Sequence, residues 1–310
     1  MENAKDLLDQ IQEDVNDLIQ KDFVFKVTNA VPNEDDKDLT FESGEIKKGK
    51  EIDTCVLFVD IRDSVKLVKS SHTDTMGRIY TAFIKSTIRA AHKCNGLVRN
   101  IIGDRVMVVF PKEKCFQNAV ECAITINHIA SKYIDKKVAG HEFKCGIGID
   151  YGKMRCIKVG IEKHGTENSD NKNLVWIGPA VNMASRLCDC ANKEIILYKV
   201  VYAELEAPIN IWGHPVSLLE YEWRDKTRKM TPEQIQKLIN VGNFKRIKSI
   251  EKLDGEHRHK PILISEAVYL GYARECPNNK SITEKMWEQD PLPIKDIPFK
   301  VYGSDIYWKL

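Results

Sequence analysis

Residues 54–61 read TCVLFVDI and residues 97–110 read LVRNIIGDRVMVVF. The first stretch is short and rich in Val, Leu and Phe, the pattern of a buried strand, and its end delivers a carboxylate, Asp60, followed by Ile61. The second divides at Gly103-Asp104 into two short strands, Gly96 to Ile102 and Arg105 to Phe110, so it predicts a hairpin with a carboxylate at its tip. Between the two stretches Met76, Ile79, Tyr80, Phe83, Ile84, Thr87, Ile88 and Ala91 recur at helical spacing. Beyond them Phe116, Ala119, Val120, Ala123, Ile124, Ile129 and Tyr133 mark a second amphipathic helix, which leads to a strand over Phe143 to Ile149 in KCGIGID. Strand, helix, strand, strand, helix, strand is the order of a ferredoxin-like α+β unit.

Working outward, residues 1–22 place Leu7, Leu8, Ile11, Val15, Leu18 and Ile19 on one face of an amphipathic helix. The pattern is too short for a stable coiled coil, so the helix is expected to pack on its own domain rather than to form a dimer. Thr28 to Lys50 is rich in turn formers and charge and reads as an arm with little core of its own. After KCGIGID, Glu162 to Asn173 is too charged for core and reads as a polar loop. NLVWIGPAVNMASRLCDCA (173–191) follows, with Gly178-Pro179 as a turn and first helical position and Asn182 and Arg186 four apart on one helical face. Residues 222–260 carry 11 Lys/Arg against 6 Asp/Glu, a basic insertion expected to be helical and to present a solvated face. IILYKVVY (195–202) echoes ILISEAVY (262–269), and either could be the strand that completes the sheet. The expected division is 1–50 for the helix and arm, 51–205 for the main domain, 206–260 for the insertion and 261–310 for the completion of the main domain.

Composition narrows the function. At 310 residues, 43% hydrophobic and 30% charged, the chain is a globular protein rather than a disordered one. Its longest apolar runs, Cys55 to Val59 and Val106 to Phe110, fall far short of the roughly 20 residues a membrane span needs. The acidic N-terminus does not resemble a secretory signal, so a cytoplasmic location without membrane is expected. Nine cysteines in apolar segments read as reduced core thiols; Cys188 and Cys190 form the one close pair, and no second pair stands at zinc spacing. A net charge of +2 argues against nucleic-acid binding, so an anionic ligand must be held by a local site.

A lone aspartate after an apolar strand is usually a cap or turn residue. Two of them, Asp60 at a strand end and Asp104 on a hairpin running beside it, would repel unless cations lay between them. Oxygen ligands of this kind suit Mg²⁺ or Mn²⁺ whose shells are completed by substrate phosphates, which points to a nucleoside triphosphate. A dinucleotide-binding reading of Gly146-Ile-Gly148 is poor, because the glycines fall inside a strand and no third glycine opens a helix.

FVDIRDS, NIIGDRVMVVF, KCGIGIDYG and VWIGPAVNMASRL, in that order, resemble the class III nucleotidyl cyclase catalytic domain over residues 53–190, resuming at 261–310. The resemblance implies a homodimer with two composite sites, each holding two Mg²⁺ or Mn²⁺ ions on Asp60, Asp104 and the Ile61 carbonyl of one subunit, with Asn182 and Arg186 reaching over from the other. In the family a basic residue near the last hairpin grips the terminal phosphates; in IPFKVYGSDIYW the matching residue is Lys300, although this segment is shorter than the family's usual turn. Adenylate cyclases carry a lysine and an aspartate, and guanylate cyclases a glutamate and often a cysteine, at the base-reading positions. Here those positions are Asn100 and Val175, so neither purine code is present. The chain is in this respect similar to the bacterial pyrimidine cyclases of Pycsar antiphage defence, which implies formation of cyclic CMP or cyclic UMP read by a separate cyclic-nucleotide-binding effector. An adenylate or guanylate cyclase, or a catalytically silent nucleotide-binding homologue, are the alternatives.

Overall fold

The computed structural model describes residues 4–39, 46–64, 73–137, 142–163, 166–206, 222–240, 244–255, 257–290, 294 and 296–309. Helix α1 (Ala4–Gln20) and strand β1 (Asp22–Val27) precede the long strand β2 (Ile46–Ile61). Then come helix α2 (Thr73–Lys93), the hairpin β3 (Leu97–Ile102) and β4 (Arg105–Val109), helix α3 (Cys115–His128) with a π-helical turn at Ile129–Ile134, and strand β5 (Cys145–Lys163). The β-α-β-β-α-β order read from the sequence is therefore present, in an α+β fold.

Alternation along the second half of β2 explains why the run Cys55 to Val59 is continuously apolar. Cys55, Leu57, Val59 and Ile61 face a core shared with Met76, Ile79 and Phe83 of α2 and Ala119, Val120 and Ala123 of α3. Ile52, Val56 and Phe58 face the other way, against Ala180, Ala184 and Cys188 of helix α4 (Pro179–Cys190). Both faces of this half of the strand are covered, which suits an unbroken apolar run. β2 pairs antiparallel with both β4 and β5, and β4 with β3.

The echo between 195–202 and 262–269 resolves in favour of the second segment. Strand β6 (Thr166–Ile177), β7 (Glu194–Ile195), β8 (Tyr198–Glu206), β9 (Glu222–Met230), helix α5 (Pro232–Asn240), β10 (Lys245–Lys252) and β11 (His257–Arg258) lead to β12 (Ile262–Ser265). β12 lies parallel to β5, with Ile262 opposite Ile147, and all four of its residues are buried. Helix α6 (Glu266–Glu275), the short α7 (Lys280–Thr283), β13 (Glu288–Gln289) and β14 (Val301–Ser304) finish the sheet, whose order is β13-β14-β12-β5-β2-β4-β3, with β1 on β2 and β6 on β5. β7 and β11 pair with each other.

Several expectations need correction. The arm's last residues belong to β2, which starts at Ile46 rather than near Asp53, because β1 and β5 supply partners for its backbone; residues 40–45 lie outside the described residues. The charged stretch 162–173 is a ribbon of β5 and β6 rather than a loop, since a two-stranded extension needs no core behind it. The insertion is mainly strand: β10-β8-β9 form a second sheet on which α5 packs through Ile235 and Leu238. Its lysines pair across strands, Lys226 and Lys245 with Glu204 at 2.8 and 2.9 Å; residues 207–221 lie outside the described residues. Among the described residues nothing packs over helix α1, for none of its residues is buried, contrary to the expectation that it packs on its own domain. No described helix is long and apolar enough to cross a membrane.

Candidate active site

The β2–β4 register sets Val59 opposite Val106, so the hairpin tip Gly103-Asp104 hangs beside the end of β2, where Asp60 and Ile61 stand. Gly103 has φ +61°, the left-handed conformation in which glycine lacks the Cβ penalty, and this lets the tip turn in two residues. Burial, and after it the charge of Asp60, holds the Asp104 carboxyl above the usual carboxylate range. Ser64 hydrogen-bonds Asp104, yet Asp104 Oδ2 is buried with no hydrogen-bond partner among the described residues. Tyr80, on α2, bonds Ser64, and burial followed by the charge of Asp104 raises its pKa.

Two arginines meet Asp60. The Arg105 guanidinium lies 3.1 Å from Asp60 Oδ2 and that of Arg62 lies 3.4 Å away. Arg105 also donates to Ser185 Oγ at 3.1 Å and pairs with Asp189, both on α4. Burial works against the charge of Arg105, but its bonds to Asp189 and Asp60 outweigh that and raise its pKa. Arg62 donates to the carbonyl of Ala191 at 2.8 Å and to that of Cys188. The arginines thus tie the strand end to the C-terminal turn of α4. Sequence reasoning missed Arg62, Arg105, Ser185 and Asp189; the available signal was an arginine one or two residues after each aspartate, in DIRDS and GDR.

Helix α4 can lie this close to β5 because of Gly146 and Gly148, the glycines of the GIG run. A Cβ on Gly148 would stand 2.1 Å from the Cys188 nitrogen and 2.3 Å from the Ala184 carbonyl oxygen, and one on Gly146 would meet Arg62 and the Ala191 carbonyl. They serve helix-on-sheet packing. Ala180, Ala184, Leu187 and Cys188 are buried in that contact, while Asn182 and Arg186 are exposed. Arg186 turns to the C-terminal segment, 3.2 Å from the Asp296 carbonyl and 3.7 Å from its carboxylate.

The remaining expected site residues stand apart from the aspartates. Asn100 is half-buried on β3, opposite Met107, and Val175 on β6 is 38% exposed opposite Ile157. Lys300 precedes β14, where Val301 faces Ser265, one residue past the level of Ile149 and Leu57, whereas Asp60 faces Gly146 several residues away along the strands; its ammonium lies 3.5 Å from Glu266. Within one chain the structure therefore brings together Asp60, Ile61, Asp104, Arg62 and Arg105. Among the described residues no contact joins Asn182, Arg186, Val175 or Lys300 to either aspartate.

The donor set is hard: two carboxylates, one with an unpartnered buried oxygen, and a strand-end backbone. That chemistry fits Mg²⁺ or Mn²⁺. Among the described residues no group of three or more His, Cys, Asp or Glu could hold a metal alone, so an ion here would take part of its shell from the backbone, water or a bound ligand.

Residues 46–211 match the family described as the adenylate and guanylate cyclase catalytic domain. The chain is 29% identical over 194 residues to a protein of Gulbenkiania mobilis named uridylate cyclase, covering 58% of this chain and 70% of that protein. It is 28% identical over 204 residues to one of Burkholderia cepacia with the same name, covering 64% and 84%. Among solved structures it resembles the adenylyl cyclase CyaB from P. aeruginosa, with a TM-score of 0.48 at 14% identity over 82% of this chain and 94% of that one.

Proposed function

The chain belongs to the adenylate and guanylate cyclase catalytic-domain family, and on that premise we propose that it converts UTP to cyclic UMP and pyrophosphate. The observation that carries the catalytic reading is the Asp60–Asp104 pair at the end of β2, with one buried carboxylate oxygen lacking a partner among the described residues. Asp60, Asp104 and the Ile61 carbonyl would hold two Mg²⁺ or Mn²⁺ ions. Such ions, when bound, lower the pKa of the ribose 3′-hydroxyl and neutralise the triphosphate.

In the reaction the 3′-oxygen forms a bond to the α-phosphorus, the bond from the α-phosphorus to the bridging oxygen breaks, pyrophosphate leaves with that electron pair, and the hydroxyl proton passes to solvent. Arg186 would meet charge that develops on the α-phosphate, Asn182 would orient the ribose, and Lys300 would grip the terminal phosphates. Among the described residues no contact joins these three to Asp60 or Asp104, so they would come from a second copy, in a homodimer with two shared sites. Arg62 and Arg105 would neutralise Asp60 before the triphosphate enters.

The base assignment rests on two supports. Asn100 offers both an amide donor and an acceptor, the pair that uracil's O4 and N3–H require, and Val175 fills space where purine-directed relatives place a polar group. The relatives named uridylate cyclase favour uracil over cytosine. In such an assignment cyclic UMP would act as a second messenger in antiphage defence, read by a separate cyclic-nucleotide-binding effector in the cytoplasm. Incubating the protein with Mn²⁺ and each of the four ribonucleoside triphosphates, with products identified by mass spectrometry, tests this. Cyclic UMP as the main product is expected; cyclic CMP would move the assignment to cytosine, and cyclic AMP or GMP alone would reject the pyrimidine reading.

A further inference from the structure

Two surfaces on this chain have no partner among the described residues. The first is α1. Leu7, Leu8, Ile11, Val15, Leu18 and Ile19 are each between 45% and 79% exposed along one face of the helix, an amount of apolar surface that water does not favour. The helix is acidic: Asp6, Asp9, Glu13, Asp14 and Asp17 lie on its other positions, and among the described residues only Asp17 forms an ion pair, with Lys21.

The second is a groove of about 820 Å³ between α2 and the π-helical turn after α3. Its apolar wall includes Ile79, Ile129 and Ile134. Ala82, Ser86 and Ala90 recur every four residues along α2, small side chains that let another helix come close. Arg78, Arg89, Lys93 and Lys137 rim the groove, and among the described residues none of them forms an ion pair. From Thr75 to Lys93 the groove follows α2 for about 27 Å, against about 25 Å for α1.

We propose that α1 of one copy docks its apolar face into the α2 groove of a second copy, with its acids against the Arg78, Arg89, Lys93 and Lys137 rim. Three features select this occupant. The lengths agree, the charges are opposite, and the apolar arc on α1 matches an apolar floor, the arrangement by which amphipathic helices occupy grooves. Reciprocity supplies the reason for a second copy: each chain offers one helix and one groove, and their exchange closes a two-fold pair with nothing left over. Two such contacts would bury on the order of 2,000 Å², within the range of stable interfaces. β1, zipped to β2 over Asp22 to Val27, anchors the root of α1, and α1 leaves its own groove unfilled. The inference concerns assembly and stands whether or not the uracil assignment holds.

The test uses the full chain. A photo-crosslinking phenylalanine analogue is placed at Ile11 in one tagged copy, which is co-expressed with a second copy carrying a different tag. The expected product joins the two tags, and peptide mapping places the link within 75–93 or 129–137 of the second copy. Arg78→Glu with Arg89→Glu should weaken self-association of order tenfold, and Asp14→Lys with Asp17→Lys on α1 should restore it. These residues are exposed, so an unchanged thermal midpoint separates lost docking from lost folding. Links confined to one chain, links to any other surface, or charge reversals that leave the crosslink yield unchanged would each overturn the proposal.

Discussion

Asp104 has its carboxyl raised by burial and by Asp60 beside it, so its negative charge is an unfavourable feature of the metal-free protein. Asp104→Asn should therefore leave the thermal midpoint unchanged or higher, while Mn²⁺ binding measured by calorimetry and turnover are both lost. A variant that still turns over normally would remove Asp104 from the site. Arg186→Ala should lower kcat about 10²-fold or more with little change in KM, as expected for a group that meets charge only in the transition state. Asp150 offers a separate test of the charge reasoning. Burial lifts its carboxyl to about 6, against hydrogen bonds from Ser265 and the Tyr151 backbone. A folded pKa above the unfolded one means that the neutral acid contributes stability at low pH, and that this contribution is lost as pH rises through about 6. Asp150→Asn should raise the thermal midpoint at pH 8, by the equivalent of ~1–3 kcal/mol, and change it little at pH 4. Equal shifts at both pH values would contradict this. Both aspartates of the candidate site were legible as strand-end and hairpin-tip residues. Arg62, two residues after Asp60, carries a local signal, but the reach of Arg105 to Asp60 and Asp189, 45 and 84 positions away, does not, because no local pattern encodes it.

At the level of elements, the seating of α4 on β5 decides where Asn182 and Arg186 are presented. Gly148→Ala forces a Cβ into the α4 backbone, so a loss of about 1–3 kcal/mol in denaturant unfolding is expected, with activity falling as the helix moves. Gly77, inside α2, has open space around it; Gly77→Ala should stabilise by roughly 0.5–1 kcal/mol. If the two substitutions had similar effects, the close-packing account of the GIG run would be wrong. The helices and strands of the main unit were readable because each shows an uninterrupted period. The second sheet was not. β9 and β10 are dominated by Arg, Lys and Glu and show no apolar period; the cross-strand partner that joins them, Glu204 of β8, whose carboxyl Lys226 and Lys245 hold down to about 2, is visible only in the folded sheet.

For the whole molecule, the separation of Lys300 from Asp60 along the strands, and the turn of Arg186 toward Asp296, are what the proposed shared site requires, in which each chain would give one half to each of two sites. A periodic sequence shows which residues share a strand or helix, but where along the strands each half lies follows from the antiparallel β12–β14 and β2–β5 registers. The location of α1 was misjudged for a related reason: an amphipathic pattern reveals that a face wants cover, not which chain provides it. The most direct test of the shared site mixes two inactive proteins. Asp60→Ala and Arg186→Ala variants, refolded or co-expressed one to one, should recover about a quarter of wild-type activity, since half of the random dimers are mixed and each mixed dimer keeps one intact site. A mixture as inactive as either variant alone, with mixed dimers shown to be present, would contradict a site built from Asp60 and Asp104 of one copy and Arg186 of the other.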